Sequence, residues 1–451
     1  MENITVADLM SFTRGTLMGS IDPQKKISFI SNDSRSQGED WVYLALKGER
    51  LDGHDFIEDA AKNGAILAIA ERGSKENCIL VKNSYRALKD IASGYKARYD
   101  IPVVAVTGSS GKTTTKDMTF FALNECRPTL RNIGNLNSEI GLPMTVLNLD
   151  RDHRIGLFEM GMYHLGEIDY LAEIVKPHVG VITNVGTAHI MNLKTRDNIL
   201  KAKLEIANYM GEEDFLLING DNDKLSEIDP DKMRPRVITF GLDKKNDIHP
   251  LRYAVKDGNT EIFASVLGEE IDLVIPTVGE HNICNALSAM GVCKVLGLDL
   301  QKAASGLKKY QPSKYRMEKS EVGGKVLIND SYNANPDSMR AAISTLDHIH
   351  AKRKVAILAD MLELGEGSLR YHREIGAYVA GYADLLIAIG NEAKYIGEGA
   401  RESGMKDEAI RYFQTNEEAK HAINAILHEG DVVILKGSRG MKLEEVADSI
   451  C

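Results

Sequence analysis

The stretch Val103-Val-Ala-Val-Thr-Gly-Ser-Ser-Gly-Lys-Thr-Thr-Thr115 determines the predicted fold of this chain. Its first four residues predict a buried strand, and the segment that begins at Lys112 predicts a helix. Backbone N–H groups at the start of a helix bind phosphate, and Gly108 and Gly111 allow a close approach because they lack a Cβ atom. Lys112 can place a positive charge on the outer phosphates, and the Thr113 hydroxyl can bind Mg²⁺. The stretch therefore predicts a nucleotide phosphate loop.

The loop departs from the usual pattern G-x-x-x-x-G-K-[ST], which would have glycine at the position of Val106. The alternative is a strand-to-helix turn that merely uses glycines. The combination of strand, loop and helix favours the phosphate site. The residues predicted to bind the nucleotide phosphates are Thr107, Gly108, Ser109, Ser110, Gly111, Lys112, Thr113 and Thr114.

Composition limits the class of protein. A length of 451 residues predicts about three domains of about 150 residues each. The net charge of −10, without a basic patch, argues against nucleic-acid binding. The five cysteines are scattered and form no C-x-x-C pair, which is typical of free thiols in a reducing compartment. No signal peptide and no apolar run of about 20 residues is evident, so we expect a cytoplasmic protein without a membrane span.

Alternating strands and helices predict an α/β fold of three domains. Residues 1–100 form a small N-terminal α/β domain, in which residues 27–30 predict one strand. Residues 101–313 predict a doubly wound, mostly parallel sheet around the phosphate loop, with an antiparallel addition over 230–276. Residues 314–451 predict a Rossmann-like domain, which lacks a G-x-G-x-x-G motif and so implies no dinucleotide.

Two further residues are candidates for a metal site. Glu159 and His189 each follow a predicted strand of the domain that contains the phosphate loop. Because the carboxyl ends of parallel strands meet at one edge of a sheet, we expect both side chains to converge with Lys112 and Thr113. A carboxylate, an imidazole and a hydroxyl suit Mg²⁺ or Mn²⁺. Taken singly, each side chain is equally compatible with an ordinary surface or edge residue.

Two basic residues have ordinary interpretations. Lys203 lies in a predicted helix and is expected to be solvated, while Lys201 and Glu205 are four residues apart and predict an exposed pair. Arg316 lies at the boundary between the second and third domains. It could clamp a phosphate when the domains close, although a surface arginine is the simpler interpretation.

Several motifs together resemble the muramyl ligase family, the ATP-dependent ligases of peptidoglycan precursor synthesis. They are Thr107-Gly-Ser-Ser-Gly-Lys-Thr-Thr114, Phe158-Glu-Met-Gly161, Thr183-Asn-Val-Gly-Thr-Ala-His189, Ala202-Lys-Leu-Glu-Ile206 and Gly279-Glu-His-Asn282. Three others resemble the member that adds D-alanyl-D-alanine: Asn329-Asp-Ser-Tyr-Asn-Ala-Asn-Pro336, Asp360-Met-Leu-Glu-Leu-Gly365 and Lys436-Gly-Ser-Arg-Gly-Met-Lys-Leu-Glu444.

The resemblance implies a role for each position. Lys112 would hold the γ-phosphate of ATP; Thr113, Glu159 and His189 would serve two Mg²⁺ sites together with a carbamylated Lys203. Asn282 would contact adenine, and Arg316 and Asp330 would contact phosphate and ribose. The residues expected to bind the other substrates are Asp33, Ser34, Arg35, Gly48, Asp52, His54, Asn135, Asn137, Asn333, Asn335 and Asp360.

The implied reaction joins D-alanyl-D-alanine to UDP-N-acetylmuramoyl-tripeptide through an acyl phosphate, in a monomer whose domains close around ATP. One alternative is a folylpolyglutamate-synthase-like ligase, which would not be expected to have a separate nucleotide-binding block like residues 1–100. The other is a non-catalytic nucleotide switch, which would not require His189, Lys203 or a third ligand-facing domain.

Overall fold

The computed structural model describes residues 1–73, 76–256, 258–349 and 351–451. It has three α/β domains, each built on its own main sheet. No helix in these residues is long and apolar enough to cross a membrane.

The first domain contains a five-stranded sheet in the order β2-β7-β6-β5-β4, mostly parallel, and a small β1–β3 pair. Its elements are β1 (Ile4–Thr5), α1 (Val6–Thr13), β2 (Thr16–Met18), β3 (Lys26–Ile27), β4 (Ile30–Ser31), β5 (Trp41–Leu44), α2 (Ile57–Lys62), β6 (Ala65–Ala70), β7 (Cys78–Leu80) and α3 (Ser84–Lys96). The single strand expected over residues 27–30 is wrong. Ile27 pairs with β1 whereas Ile30 pairs with β5, because the chain passes from one sheet to the other between them.

The middle domain contains a nine-stranded sheet in the order β16-β15-β14-β13-β12-β11-β8-β10-β9. Its elements are β8 (Val103–Thr107), α4 (Lys112–Cys126), β9 (Thr129–Arg131), α5 (Gly141–Val146), β10 (Ile155–Glu159), α6 (Glu167–Val175), β11 (Val179–Ile182), α7 (Ile190–Leu193), α8 (Arg196–Leu204), β12 (Phe215–Asn219), β13 (Arg236–Phe240), β14 (Ile248–Lys256), β15 (Asn259–Val266), β16 (Glu269–Ile275), α9 (Glu280–Val295) and α10 (Leu300–Leu307).

The register of this sheet positions the site. Val106 of β8 pairs with Glu159 of β10 on one side and with Val181 of β11 on the other, all in parallel. The ends of these three strands therefore meet at one edge. The predicted antiparallel addition is correct only from β14 onward, because Arg236–Phe240 still runs parallel to its neighbour and extends the same sheet.

The third domain contains a six-stranded sheet in the order β17-β18-β22-β19-β20-β21, antiparallel only at β17. Its elements are β17 (Glu318–Val322), β18 (Lys325–Asn329), α11 (Pro336–Ser344), β19 (Arg353–Ala359), α12 (Ser368–Val379), β20 (Leu385–Ile389), α13 (Lys394–Glu402), β21 (Ile410–Phe413), α14 (Asn416–Ile426), β22 (Asp431–Lys436) and α15 (Glu444–Ala447). Short 3₁₀ helices occupy Gly53–Phe56, Glu205–Ala207, Pro230–Lys232, Thr345–His348, Gly365–Gly367, Asp407–Ala409 and Arg439–Met441.

The first two domains share a hydrophobic core, whereas the third has cores of its own. Helix α3 of the first domain packs on α5 and α6 of the second, and Tyr95 donates a hydrogen bond to the Leu149 carbonyl at 2.6 Å. Contacts to the third domain include the hydrogen bond from the Thr187 N–H to Asp337 at 3.1 Å. The first two domains thus form one body, to which the third is joined by a linker.

Candidate active site

The phosphate loop is shaped by the loop that follows β11. The backbone N–H groups of Ser109 and Ser110 both donate to the side-chain oxygen of Asn184, each at 2.9 Å. A Cβ atom on Gly108 would lie 1.8 Å from the Thr183 hydroxyl, so glycine is required there for close approach. Asn184 therefore fixes the direction of two backbone N–H groups of the loop. The sequence placed Asn184 at a strand exit and within the motif Thr183–His189, but did not assign it a role.

Glu159 is fixed next to the start of α4. Its carboxylate is buried and accepts hydrogen bonds from the Thr113 hydroxyl at 2.8 Å and from Asn137 at 2.7 Å. Lys112 donates to the Gly108 carbonyl at 2.8 Å. Burial lowers the pKa of Lys112, although Glu159 opposes that shift. The predicted convergence of Lys112, Thr113 and Glu159 is therefore found in the structure.

His189 lies at the start of α7 with a positive φ of 62°. Its Nδ1 is 3.3 Å from Oε2 of Glu363 in the third domain, without the geometry of a hydrogen bond. The ring packs edge-on against Tyr163. Burial, with smaller contributions from Lys112 and Lys203, lowers the pKa of His189 to about 3. The imidazole is therefore neutral at ordinary pH, as a metal ligand must be.

Lys203 is not the solvated lysine that its sequence position predicts. Only 1% of the residue is exposed, because α8 packs this face against the domain. Burial, and then the charge of Lys112, lower the pKa of Lys203 well below its usual value. No acidic side chain within the described part of the chain forms an ion pair with it. Burial of a lysine without a counter-ion favours the neutral amine.

The predicted pair of Lys201 and Glu205 is wrong. Glu205 instead accepts the backbone N–H groups of Gly166 at 2.8 Å and Asp169 at 3.1 Å, at the start of α6. Unpaired N–H groups at a helix N-terminus attract a carboxylate more strongly than an exposed lysine does.

The donor set fits Mg²⁺ bound together with a nucleotide. Among the residues that the structure describes, no three His, Cys, Asp or Glu side chains cluster into a complete metal site. Mg²⁺ ordinarily takes only one or two carboxylates from a protein and completes its shell with water and phosphate oxygens. Thr113 and Glu159, whose oxygens already touch, and the neutral His189 suit such a site.

A chain of amides connects α9 to the phosphate loop. Asn282 is buried and donates to the Val278 carbonyl at 2.8 Å, while its oxygen accepts from Asn285 at 3.2 Å. Asn285 in turn accepts from Thr115 of α4 at 2.9 Å. The sequence analysis missed Asn285, although its spacing of three from Asn282 places both on one helix face.

The third domain contributes residues from the opposite side. Arg316 stacks over Tyr332 at 4.0 Å, and Asp330 accepts from the Met317 N–H at 3.2 Å and pairs with the buried Lys436. Asn335 caps α11 through the Ser338 N–H at 2.9 Å.

These groups surround a cavity of about 910 Å³ between the middle and third domains. The predicted residues that line it are Ser109, Ser110, Gly111, Lys112, Thr113, Thr114, Asn135, Asn137, Glu159, His189, Asn282, Arg316, Asp330, Asn333 and Asn335. Residues that line it but that sequence reasoning missed are Asn184, Asn285, Tyr332, Glu363, Lys436 and Ser438.

The first-domain candidates lie away from this cavity. Arg35 forms two hydrogen bonds to the Asp33 carboxylate, at 2.9 and 2.8 Å, and the Ser34 carbonyl accepts from Asn63. His54 contacts Asp52 at 2.6 Å through Nδ1 and accepts the Glu71 N–H at 2.9 Å through Nε2. The ring therefore carries its proton on Nδ1.

Gly48 and Asp360 have local structural roles. The Gly48 N–H donates to the Leu51 carbonyl at 2.9 Å and closes a tight loop. The Asp360 carboxylate accepts the N–H groups of Asn391, Glu392 and Ala393 near the start of α13. Asp360 is buried and is absent from the cavity lining, as are Thr107, Gly108 and Lys203.

Three family models match successive parts of the chain. The Mur ligase family catalytic-domain model matches residues 26–105, the Mur ligase middle-domain model matches 106–293, and the Mur ligase glutamate-ligase-domain model matches 315–439.

Individual relatives match over nearly the whole length. The UDP-N-acetylmuramoyl-tripeptide--D-alanyl-D-alanine ligase of Bacillus subtilis is 34% identical over 99% of this chain and 98% of the relative. A crystal structure of MurF from Acinetobacter baumannii has a TM-score of 0.92 at 32% identity and covers 99% of this chain and 98% of that one. MurF from Thermotoga maritima, solved in complex with ADP, has a TM-score of 0.83 at 29% identity, covering 93% and 96%.

A folylpolyglutamate synthase from Mycobacterium tuberculosis shares only the fold. Its TM-score is 0.64 at 16% identity, and the match covers 80% of this chain and 94% of that one.

Proposed function

Because this chain belongs to the Mur ligase family and is an ATP-dependent ligase that forms a C–N bond, we propose that it joins D-alanyl-D-alanine to UDP-N-acetylmuramoyl-tripeptide. The products are the pentapeptide precursor of peptidoglycan, ADP and phosphate. One observation carries the proposal: the phosphate loop and the residues of the third domain face each other across a single cavity. This arrangement suits a reaction that brings ATP and two further substrates together.

The first step activates a carboxylate, which is a poor electrophile towards amines. The terminal carboxylate of the tripeptide attacks the γ-phosphorus of ATP, and ADP leaves, giving an acyl phosphate. Lys112 and the N-terminus of α4 would stabilise the charge on the transferred phosphoryl group. Asn184 accepts the N–H groups of Ser109 and Ser110 and so fixes the shape of the loop that leads into this helix.

The second step forms the peptide bond. The amine of D-alanyl-D-alanine attacks the acyl carbon; the new C–N bond forms, the C–O bond to phosphate breaks, and the amine loses a proton. We assign Arg316 to phosphate, Asp330 to ribose and Asn333 and Asn335 to the dipeptide, because all four line the cavity from the third-domain side. Asn282 would contact adenine.

Magnesium would be held by Thr113, Glu159 and His189, at one or two sites, and Mn²⁺ could substitute. When bound, the metal neutralises negative charge on the phosphates. Lys203 would add a further ligand after carbamylation, in which its neutral amine attacks CO₂, a new N–C bond forms and one proton is released. The burial of Lys203 without an acidic partner supports this modification, since a neutral lysine is the reactive form.

The uridine nucleotide would bind the first domain, on Asp33, Ser34 and Arg35 and on the loop from Gly48 to His54. These segments follow β4 and β5, which are adjacent parallel strands, so both lie at the same edge of the sheet. Asn135 and Asn137 in the middle domain would face the peptide. Asp360, whose carboxylate accepts hydrogen bonds from backbone N–H groups, would have a structural role within the third domain.

We further propose that the domains extend over residues 1–100, 101–313 and 314–451 and that the protein is a cytoplasmic monomer. The end of α3 at Lys96 and the linker between α10 and β17 support these boundaries.

The test measures phosphate release from ATP in the presence of UDP-N-acetylmuramoyl-tripeptide, with and without D-alanyl-D-alanine. Release should require both, and Lys112→Met should reduce it by about 100-fold or more because one charge on the phosphoryl group is lost. Lys201→Met, an exposed lysine in the same domain, is the matched control and should behave as wild type. Release that needs glutamate and a folate would favour the folylpolyglutamate-synthase-like alternative, and release indifferent to every acceptor would favour a nucleotide switch.

A further inference from the structure

The motif Asp360-Met-Leu-Glu-Leu-Gly365 contains a glutamate that the reaction described above does not use. Glu363 lies in the loop between β19 and α12, and its side chain is 49% exposed and lines the cavity. Its backbone has a φ of 65°, a left-handed conformation that disfavours residues with a Cβ atom. Such conformations concentrate at functional sites, where the surrounding structure imposes them.

Glu363 faces the reacting end of the cavity. Its Oε2 lies 3.3 Å from Nδ1 of His189, across the boundary between the third and middle domains. His189 is close enough to Lys112, which follows the phosphate loop, for the charge of that lysine to act on its ring. The carboxylate of Glu363 therefore lies on the third-domain side of the place where the acyl phosphate forms.

Glu363 differs from the other carboxylates that line the cavity. Glu159 is held by hydrogen bonds within the middle domain, Asp330 pairs with a buried lysine, and Glu167 accepts a backbone N–H at 2.6 Å. Glu139 lies on a loop of the middle domain. Across the described ranges, Glu363 is the carboxylate on the third-domain side of the cavity that has no lysine or arginine within ion-pair distance.

The ammonium group of the incoming dipeptide requires a carboxylate of this kind. An α-amino group has a pKa near 8, so the dipeptide enters mostly as an ammonium ion at neutral pH. An ammonium ion that leaves water needs an anionic partner. The contact of Glu363 with Nδ1 of His189 at 3.3 Å lacks the geometry of a hydrogen bond, so it does not occupy the carboxylate. The carboxylate remains available to a cation that arrives with the substrate.

We propose that Glu363 binds the ammonium group of the incoming dipeptide and thereby places its nitrogen next to the acyl carbon. This inference rests on the proposed function and adds the residue that recognises the acceptor amine. Glu363 is thus a binding residue contributed by the third domain, opposite the phosphate loop.

The test is Glu363→Gln, which keeps the shape of the side chain and removes its charge. The KM for D-alanyl-D-alanine should rise about 10- to 100-fold, the usual worth of a hydrogen bond to a charged group. The KM values for ATP and for the nucleotide tripeptide should stay within about twofold, because neither meets this carboxylate. Glu366→Gln is the matched control: it lies in the same loop, is exposed and is absent from the cavity lining.

A second ligand tests the charge itself. In D-lactoyl-D-alanine a hydroxyl replaces the ammonium group, so this competitor should bind wild type more weakly than the dipeptide does. Its inhibition constant should be the same for wild type and Glu363→Gln. Equal losses for both ligands, or an unchanged KM for the dipeptide, would overturn the proposal. A raised KM for ATP would overturn it too, and would assign Glu363 to the orientation of His189.

Different results would reject the proposed function and the role of Glu363. A wild-type protein that does not use D-alanyl-D-alanine would reject the proposed function, and the role of Glu363 with it. A wild-type protein that uses the dipeptide, together with an unaltered Glu363→Gln variant, would reject only the role of Glu363.

Discussion

At the scale of single residues, burial decides which lysines can do chemistry. Lys201 and Lys203 are two positions apart on α8, yet Lys201 is exposed and only 1% of Lys203 is exposed. Removing a charged ammonium from water without a counter-ion costs several kcal/mol, and burial therefore lowers the pKa of Lys203 well below its usual value. A neutral lysine amine beside the phosphate loop is unusual, and we propose that it is carbamylated.

The first prediction concerns Lys203→Ala. Loss of the carbamate should reduce ligase activity by about 100-fold, in line with other losses of metal support. Formate or acetate should restore part of the activity, because a short carboxylate can enter the space and replace the carbamate. Lys201→Ala should keep full activity and respond to neither anion. Activity of Lys203→Ala near that of wild type would refute the assignment.

The second prediction concerns pH and His281. Burial, with Lys436 next, lowers the pKa of His281 to about 4, although Asp330 opposes the shift. The unfolded chain, with a histidine pKa near 6.5, binds a proton that the folded chain rejects between pH 4 and 6.5. Stability that is fully present above pH 6.5 is therefore lost as the pH falls through this window.

His281→Gln should abolish this dependence. The change in unfolding free energy between pH 7.5 and 4.5 should be smaller than in wild type by about 2 kcal/mol. Urea unfolding at both pH values gives the comparison, with His421→Gln, a side chain 79% exposed, as the control. The same pH dependence in His281→Gln and wild type would show that this histidine does not titrate as described.

At the scale of elements, α4 connects the phosphate loop to the linker of the third domain. Asp117 on α4 accepts from Ser313 of the linker at 2.5 Å, from Arg131 at 2.7 Å, and pairs with Lys116 at 2.8 Å. Lys116 and Asp117 are both almost fully buried. The helix that begins with Lys112 thus also holds the chain that leads to Arg316.

The third prediction concerns Asp117→Asn. The change leaves the buried Lys116 and the partly exposed Arg131 without their carboxylate, so it should lower the unfolding free energy by about 3–5 kcal/mol. Ser313→Ala removes one hydrogen bond and should cost about 1 kcal/mol. Asp152→Asn, on the surface, should have no measurable effect. A loss of under 1 kcal/mol for Asp117→Asn in urea unfolding would contradict this account.

Sequence patterns predicted the helices and strands better than they predicted which charged side chains are buried. The strand Asp431–Lys436 and the start of α4 at Lys112 follow from apolar runs bounded by glycines and polar residues. The burial of Lys116, Asp117 and Lys203 could not be predicted, because adjacent charged residues in a helix are normally solvated and their burial depends on packing between distant segments.

At the scale of the whole molecule, the three domains are not equally joined. One hydrophobic cluster runs from Ile4 to Leu225 and unites the first two domains, whereas the third packs around separate clusters. The α/β rhythm of the sequence predicted three domains, but not this shared core. The shared core forms because one face of α3 packs on α5 and α6. The sequence pattern of α3 alone does not predict these two helices as its partners.

The fourth prediction concerns closure. Binding of a non-hydrolysable ATP analogue together with UDP-N-acetylmuramoyl-tripeptide should bring the third domain closer, because Arg316 and Asp330 gain partners on the other side of the cavity. Small-angle scattering should show a smaller radius of gyration, and the dipeptide alone should produce no change. An unchanged radius with both ligands bound would mean that the cavity already has its working shape.

The linker between α10 and β17, where Tyr315 and Met317 both have positive φ, bears on how the choice of acceptor can change in evolution. A segment that packs around apolar clusters of its own is a unit that recombination can exchange. Replacing residues 314–451 with the corresponding segment of a relative that adds another amino acid should transfer the choice of acceptor while the ATP machinery is inherited unchanged. The linker would thus mark the boundary between the part that binds ATP and the part that selects the acceptor.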